Sequence, residues 1–174
     1  RSEKAEAIAF TLSARTNVKA GSSTVENADI VIISHDYYLV QSLEIDQGRY
    51  FVESESASGR NVCVIGDNIA RALFPQHSAL GETVRVKGSK MKVIGILKRK
   101  GESLLGNNVD NQVLVPINYA RNLIDMRSEN FDPFIMVKAK PGVTNEELKD
   151  ELTGMMRSLR KLKPIADDDF SLNQ

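Results

Sequence analysis

The chain predicts an α+β domain, and three features of its 174 residues point there. Short runs rich in β-branched residues recur, as at Ile30, Val31, Ile32 and Ile33 and again at Val62, Val64 and Ile65. Two alternating runs, Val84 and Val86 then Met91 and Val93, flank a turn at Gly88 and Ser89, which is the pattern of a hairpin. One long stretch has the helical period instead, through Leu148, Leu152, Met155, Leu159 and Leu162.

Taken in order, Ile8, Phe10 and Leu12 alternate with smaller or polar residues and predict a half-buried strand. Residues 15–26 are polar and carry Gly21, so they read as a loop or an exposed hairpin tip. The continuous apolar run at 30–33 suits a strand covered on both faces. Residues 36–43 suit a short helix with Ser34 or Asp36 at its N-terminus, and Gly48 closes that unit. Arg49, Tyr50 and Phe51 then begin a turn into the acidic, Ser-rich residues 53–58. Residues 62–65 form the next buried strand. Gly66 and Asp67 lead from it into a helix with Ile69, Ala70 and Leu73 on one side, and Pro75 marks its end.

Beyond the hairpin, residues 98–110 read as a polar loop interrupted by Leu104 and Leu105, and residues 112–115 as a strand. Residues 118–126 look helical, with Tyr119, Leu123 and Met126 roughly aligned, and a strand follows through Phe134, Ile135, Met136 and Val137. Thr144 and Glu147 stand at capping-box spacing at the head of a helix over 145–162. Pro164 stops that helix, and Ile165 begins a final edge strand before Asp167, Asp168, Asp169 and Phe170.

Charge and composition exclude some functions. Lys plus Arg equals Asp plus Glu at 23 each, so no net field draws the chain to nucleic acid or anionic lipid. Six Phe, four Tyr and no Trp, scattered along the chain, do not supply stacking positions for bases. The single cysteine, Cys63, rules out an internal disulfide, and its apolar neighbours predict a buried, inert thiol. No apolar run approaches the roughly 18–20 residues that span a bilayer, so the chain is expected to be soluble as it stands.

The inventory of chemistry is empty. The junction Val64-Ile65-Gly66-Asp67-Asn68 lacks the several glycines of a nucleotide-binding turn, and Asp67 would repel a phosphate. His35 and His77 have no Cys or second His at ligand spacing, and Cys63 has no histidine partner. Three adjacent carboxylates at Asp167, Asp168 and Asp169 cannot all face one cation. Lys98, Arg99 and Lys100 read as a solvated hairpin end. Catalytic, cofactor and metal residues are therefore all predicted to be none. The exception is Leu104 with Leu105, two apolar residues between Gly101 and Gly106, which tuck onto the nearby hairpin or offer a contact to a partner protein.

Six blocks follow one another in a set order. They are Ser34-His35-Asp36-Tyr37-Tyr38, Gly48-Arg49-Tyr50-Phe51, Asn61-Val62-Cys63-Val64-Ile65-Gly66-Asp67, Leu80-Gly81-Glu82-Thr83-Val84-Arg85-Val86, Met91-Lys92-Val93-Ile94-Gly95-Ile96-Leu97 and Asn111-Gln112-Val113-Leu114-Val115-Pro116. In this order and at these separations they resemble the MacB-like periplasmic core domain of ABC transporter permeases, of the macrolide-exporter and lipoprotein-release type. The resemblance runs from Ala28 to the C-terminus.

The resemblance implies a domain between the first and second membrane helices of a permease, on the extracytoplasmic face of the bacterial inner membrane. It implies a porter-like strand–helix–strand lobe with an inserted, mainly β lobe. Residues 28–130 would form the inserted lobe, and residues 131–174 with 1–27 the porter-like lobe. Residues 134–170 would be its second strand–helix–strand unit, and Asp168-Asp169-Phe170-Ser171 the approach to the second membrane helix. The family's further upstream strand and helix have no counterpart here, either because the chain was shortened or because that half is absent. The implied role is to couple ATP hydrolysis by a cytoplasmic ATPase to export or to mechanical signalling, without catalysis in this domain. Its implied partners are its own transmembrane helices, the ATPase, a second permease copy or paralogue, and a periplasmic adaptor or the exported substrate. The rival from another class is a stand-alone periplasmic binding or adaptor module, which would need a deep ligand cleft.

Overall fold

The computed structural model describes residues 2–101, 108–123 and 132–159. Its first two elements are long strands, β1 (Ala5–Ala20) and β2 (Ser23–Ile33), paired antiparallel from Thr11↔Ile33 to Ala20↔Ser23. The residues expected to be a loop at 15–26 are therefore strand on both sides of a two-residue turn. Their polarity hid the period: Val18 is buried between exposed Asn17 and Lys19. Polar pairs hold the ribbon together across the strands, Arg15 with Asp29 at 3.6 Å and the Asn27 N–H with Asn17 Oδ1 at 3.3 Å.

Next come α1 (Tyr37–Val40), β3 (Ile45–Gly48), α2 (Glu53–Ser58), β4 (Val62–Ile65) and α3 (Asp67–Leu73). The hairpin of β5 (Thr83–Val86) and β6 (Ser89–Leu97) follows, then a 3-10 turn (Val109–Asn111), β7 (Gln112–Pro116) and α4 (Ile117–Leu123). Lys87 and Gly88 both have positive φ in the β5–β6 turn, the conformation that matches the twist of two directly joined strands. Two elements were not visible in the sequence. β3 is a four-residue strand on β6, and α2 replaces the expected turn because Glu55 reaches back to cap the Val52 N–H at 3.2 Å.

Strand pairing runs β2–β7–β4–β6–β5–β1 and closes on itself through β1–β2. β7 is parallel to β2 and β6 to β4, while the other neighbours are antiparallel. The continuous apolar runs now have a cause. Alternate residues face two separate cores. Ile30, Ile32, Cys63, Ile65, Val113 and Val115 enter the larger core with Ile69, Ala70 and Leu73 of α3. Val31, Ile33, Val62, Val64 and Leu114 enter a smaller core with Tyr37, Phe51, Leu97 and Val109.

Apart from Ala5–Ile8 of β1, these elements lie within the compact unit Ala9–Met136, while the described residues 2–8 and 137–159 belong to a second unit. The sequence placed the lobes of the resemblance at 27/28 and 130/131, whereas the compact units divide at 8/9 and 136/137; the β1–β2 pairing keeps residues 11–20 with their partner strand. In the second unit, the end of β8 (Asp132–Ala139) meets the start of the chain through Lys140 N–H to Lys4 O at 2.8 Å. Helix α5 (Asn145–Leu159) begins with the expected capping box: Glu147 N–H donates to Thr144 Oγ1 at 3.1 Å, and Thr144 N–H to Glu147 Oε2 at 2.9 Å. Its buried stripe is narrower than the period implied. Leu148 is buried, while Leu152 and Met155 are half-buried. Within the described residues the helix runs to Leu159, and Leu162 and Ile165 lie outside them.

Candidate functional site

The smaller core ends at a surface where two of the six blocks meet. Tyr37 from α1 and Phe51 are both buried there, and Leu43, Ile45 and Tyr50 pack against them. Above this floor lies an open cleft of about 470 Å³, lined by His35, Tyr38, Leu43, Ile45, Tyr50, Phe51, Val52 and Glu53. The rings are in mutual contact: Tyr38 and Tyr50 have centroids 5.4 Å apart, His35 and Tyr38 5.7 Å, and Tyr50 and Phe51 5.0 Å.

The wall of the cleft is held by residues 48–52, which cross the edge of β6. Arg49 N–H donates to Ile94 O at 3.0 Å, and its guanidinium grips Glu55 through two hydrogen bonds of 2.9 and 2.7 Å. The Arg49 guanidinium holds the Glu55 carboxyl below the usual carboxylate range, against the opposing effect of its burial. Burial pushes the Tyr37 hydroxyl up to about 12. Burial also raises Tyr50, and the nearby Tyr37, Tyr38 and Asp36 contribute in the same direction. These hydroxyls stay neutral across the physiological range.

The chemistry-bearing residues singled out in the sequence sit apart from one another. Cys63 is fully buried, and burial pushes its thiol up to about 12, so it is a packing residue. His77 lies 3.4 Å from the Glu82 carboxylate, and its ring is tilted against Phe74. His35 Nδ1 lies 3.0 Å from Ser56 Oγ, a pairing the sequence did not reveal. Ser56 is buried, and no carboxylate hydrogen-bonds to His35 among the described residues, so the pair lacks the access and the orienting third group of a nucleophile. At Gly66, a Cβ would run into the carbonyl oxygens of Val109 and Asp110. Those oxygens fill the place a phosphate would need, and the glycine serves close packing of the strand–helix junction. No group of three or more potential metal ligands occurs among the described residues. Likewise, none of their helices is long and apolar enough to cross a membrane. Leu104 and Leu105 lie outside the described residues, as do Asp167, Asp168 and Asp169.

Sequence reasoning missed the cleft itself. The signal was present in composition: three of the four tyrosines, Tyr37, Tyr38 and Tyr50, fall in the two blocks that build it. What the sequence did not show was that β3 and α2 bring those blocks together.

Comparison with known proteins gives one consistent picture. Residues 1–155 match the family described as the MacB-like periplasmic core domain. The macrolide export ATP-binding/permease protein MacB of Syntrophobacter fumaroxidans is 31% identical over 103 residues, covering 59% of this chain and 14% of that protein. The chain spans less than a third of the length of the curated relatives it matches. Among solved structures, the periplasmic region of MacB from Actinobacillus actinomycetemcomitans superposes with a TM-score of 0.75 at 20% identity, covering 94% of this chain and 71% of that one. The extracellular domain of the noncanonic ABC-type transporter YknZ from Gram-positive bacteria gives a TM-score of 0.73 at 20% identity, covering 92% and 79%. At that identity the likeness establishes the fold.

Proposed function

The chain belongs to the MacB-like periplasmic core domain family, and from that premise we propose that it is the outward-facing, non-catalytic module of an ABC transporter permease. It lies on the extracytoplasmic side of the membrane, joined to transmembrane helices, and moves when a cytoplasmic ATPase closes on ATP. A second copy or a paralogue supplies the facing domain. The observation that carries this reading is the family match over residues 1–155, joined to a fold shared across nearly the whole chain with the periplasmic region of MacB. The physical character of the molecule supports it. The described residues build two cores back to back on one set of strands, with the connections locked by backbone contacts at Gly66 and Arg49. Such an element transmits displacement with little internal give.

The encoding gene provides the test. The reading expects an apolar segment of about 20 residues on each side of this region, and phosphatase fusions within the region to be active only outside the cytoplasm. A stop codon soon after Gln174, or fusions active on the cytoplasmic side, would refute it.

A further inference from the structure

The aromatic cleft carries exposed surface that the fold does not need. Tyr38, Leu39 and Val52 are 45%, 43% and 46% exposed, and they are three of the six strongly exposed large apolar side chains among the described residues. Tyr38 and Val52 both line the cleft, and Leu39 adjoins Tyr38 in α1, so this exposure is concentrated in the two short segments that border it. Tyr37, beside them, is buried and satisfies the packing role of that turn.

Glu53 is the one Asp, Glu, Lys or Arg side chain among the residues lining the cleft. Of the cations nearby, Arg49 is paired with Glu55 and Lys98 with Glu44 at 3.5 Å, while Lys100 and Arg60 keep their charge outside the cleft lining. Asp36 and Glu53, both exposed, have no ion-pair partner among the described residues. Glu53 lines the cleft, and Asp36 lies close enough for its charge to act on Tyr50. The patch is thus apolar and aromatic at its centre with unpaired carboxylates on its rim. Its openness argues against a small molecule, which needs walls that enclose most of its surface. Aromatic centres with charged rims are the anatomy of a protein contact.

We propose that this cleft docks a short extended segment of a partner protein in which apolar side chains alternate with Lys or Arg. The apolar side chains rest on Tyr38, Tyr50 and Val52, and the cations face Glu53 and Asp36, where the tyrosine ring faces add to the attraction. The inference goes beyond the permease reading and does not depend on it, since it concerns binding by the chain itself.

The test is a titration of the isotopically labelled chain, followed residue by residue by nuclear magnetic resonance. The probe is a capped octapeptide of alternating Leu and Lys. Saturable shifts should centre on Tyr38, Tyr50 and Val52. Tyr38→Ala should weaken binding about tenfold, as expected of an aromatic anchor, and unchanged spectra elsewhere would show that the variant remains folded. Glu53→Lys should weaken the Leu/Lys peptide several-fold and make a Leu/Glu peptide bind better than it binds the parent. Several results would overturn the proposal. They are shifts absent or centred elsewhere, equal binding of Leu/Glu and Leu/Lys peptides by the parent, or octylammonium binding as tightly as the Leu/Lys peptide, which marks a small-cation site. Sedimentation showing a dimer that Tyr38→Ala dissociates would assign the face to a second copy and likewise overturn it.

Discussion

Replacing Gly95 with Ala tests whether the wall of the cleft is fixed in place. Gly95 lies on β6 opposite Gly48, with no positive φ, so its backbone would accept any residue. The obstacle is space alone: a Cβ there would run into the Arg49 carbonyl oxygen, with Arg49 C at 3.2 Å and Arg49 N at 3.4 Å behind it. Arg49 cannot retreat freely. Its N–H is bonded to Ile94 O, its guanidinium to Glu55, and two residues on Phe51 is anchored at 4% exposure. One methyl of overpacking costs about 1–3 kcal/mol, and a broken backbone hydrogen bond a further 0.5–1.5, so the expected loss is about 2–4 kcal/mol. That is a sizeable share of a typical domain's roughly 5–15 kcal/mol. Gly154 supplies the control. It sits within α5 with nothing within 4 Å of the added methyl, so Gly154→Ala should stabilise the helix by about 0.5–1 kcal/mol. Because the two glycines lie in different compact units, hydrogen exchange should be read separately at β6 and α5 amides, alongside urea unfolding. A Gly95→Ala chain within 0.5 kcal/mol of the parent would show that residues 48–52 yield, and the account of a fixed wall would fall. Equal losses at both glycines would show that the contact is not the cause.

Glu55→Gln should lower stability by about 1–2 kcal/mol at pH 7, a figure discounted because the Arg49 side chain is half exposed. Glu55 has a depressed folded pKa, so its contribution is complete above the usual carboxylate value of about 4.3 and is lost as pH falls through the folded value. The gap between parent and variant in urea unfolding should therefore narrow below about pH 4, and a gap independent of pH would contradict the charged pairing. Cys63 should resist a thiol-specific disulfide reagent at pH 8 in the native chain and react once denatured, and rapid native reaction would disprove its burial. Along α5, Leu148→Ala should cost about 2–4 kcal/mol and Lys149→Ala under about 0.5, with half-buried Leu152→Ala between them. A larger loss at Leu152 than at Leu148 would mean that the buried face is misassigned.

The sequence displayed those elements whose side chains follow one rule along their length. β4 and β7 were legible because alternate residues feed two cores, which leaves an uninterrupted apolar run of four residues in each. The start of α5 was legible because its capping box is local. β3 and α2 were hidden for the opposite reason. Ile45 is the one apolar residue of β3, which exists by pairing with β6, and α2 exists because Glu55 caps the Val52 N–H and is held by Arg49, six residues earlier in the chain. In both, a tertiary contact supplies what propensity does not. The cleft inherits that obscurity, since it appears only when β3 and α2 bring Tyr38 and Tyr50 within ring contact.

The same contacts give three of the six sequence blocks a structural role. In Gly48-Arg49-Tyr50-Phe51, Asn61 to Asp67 and Met91 to Leu97, the decisive residues are those that let backbones approach or side chains interlock. Gly95 admits Arg49, Gly66 admits Val109 and Asp110, and Phe51 fills the smaller core. Such residues are dictated by packing and would be required whatever the domain binds. Tyr38, Leu39 and Val52 are under a weaker demand, because each leaves close to half of its surface exposed. Replacing any of the three should cost about 1 kcal/mol, below the figure for Gly95. Stability and binding are then separable on this face. A variant set spanning Gly95, Phe51, Tyr38 and Val52 should divide cleanly, the first two lowering stability by several kcal/mol and the last two largely sparing it while weakening peptide binding. If Tyr38→Ala and Val52→Ala destabilised as much as Gly95→Ala, the patch would be part of the packing, and its exposure would carry no message about a partner.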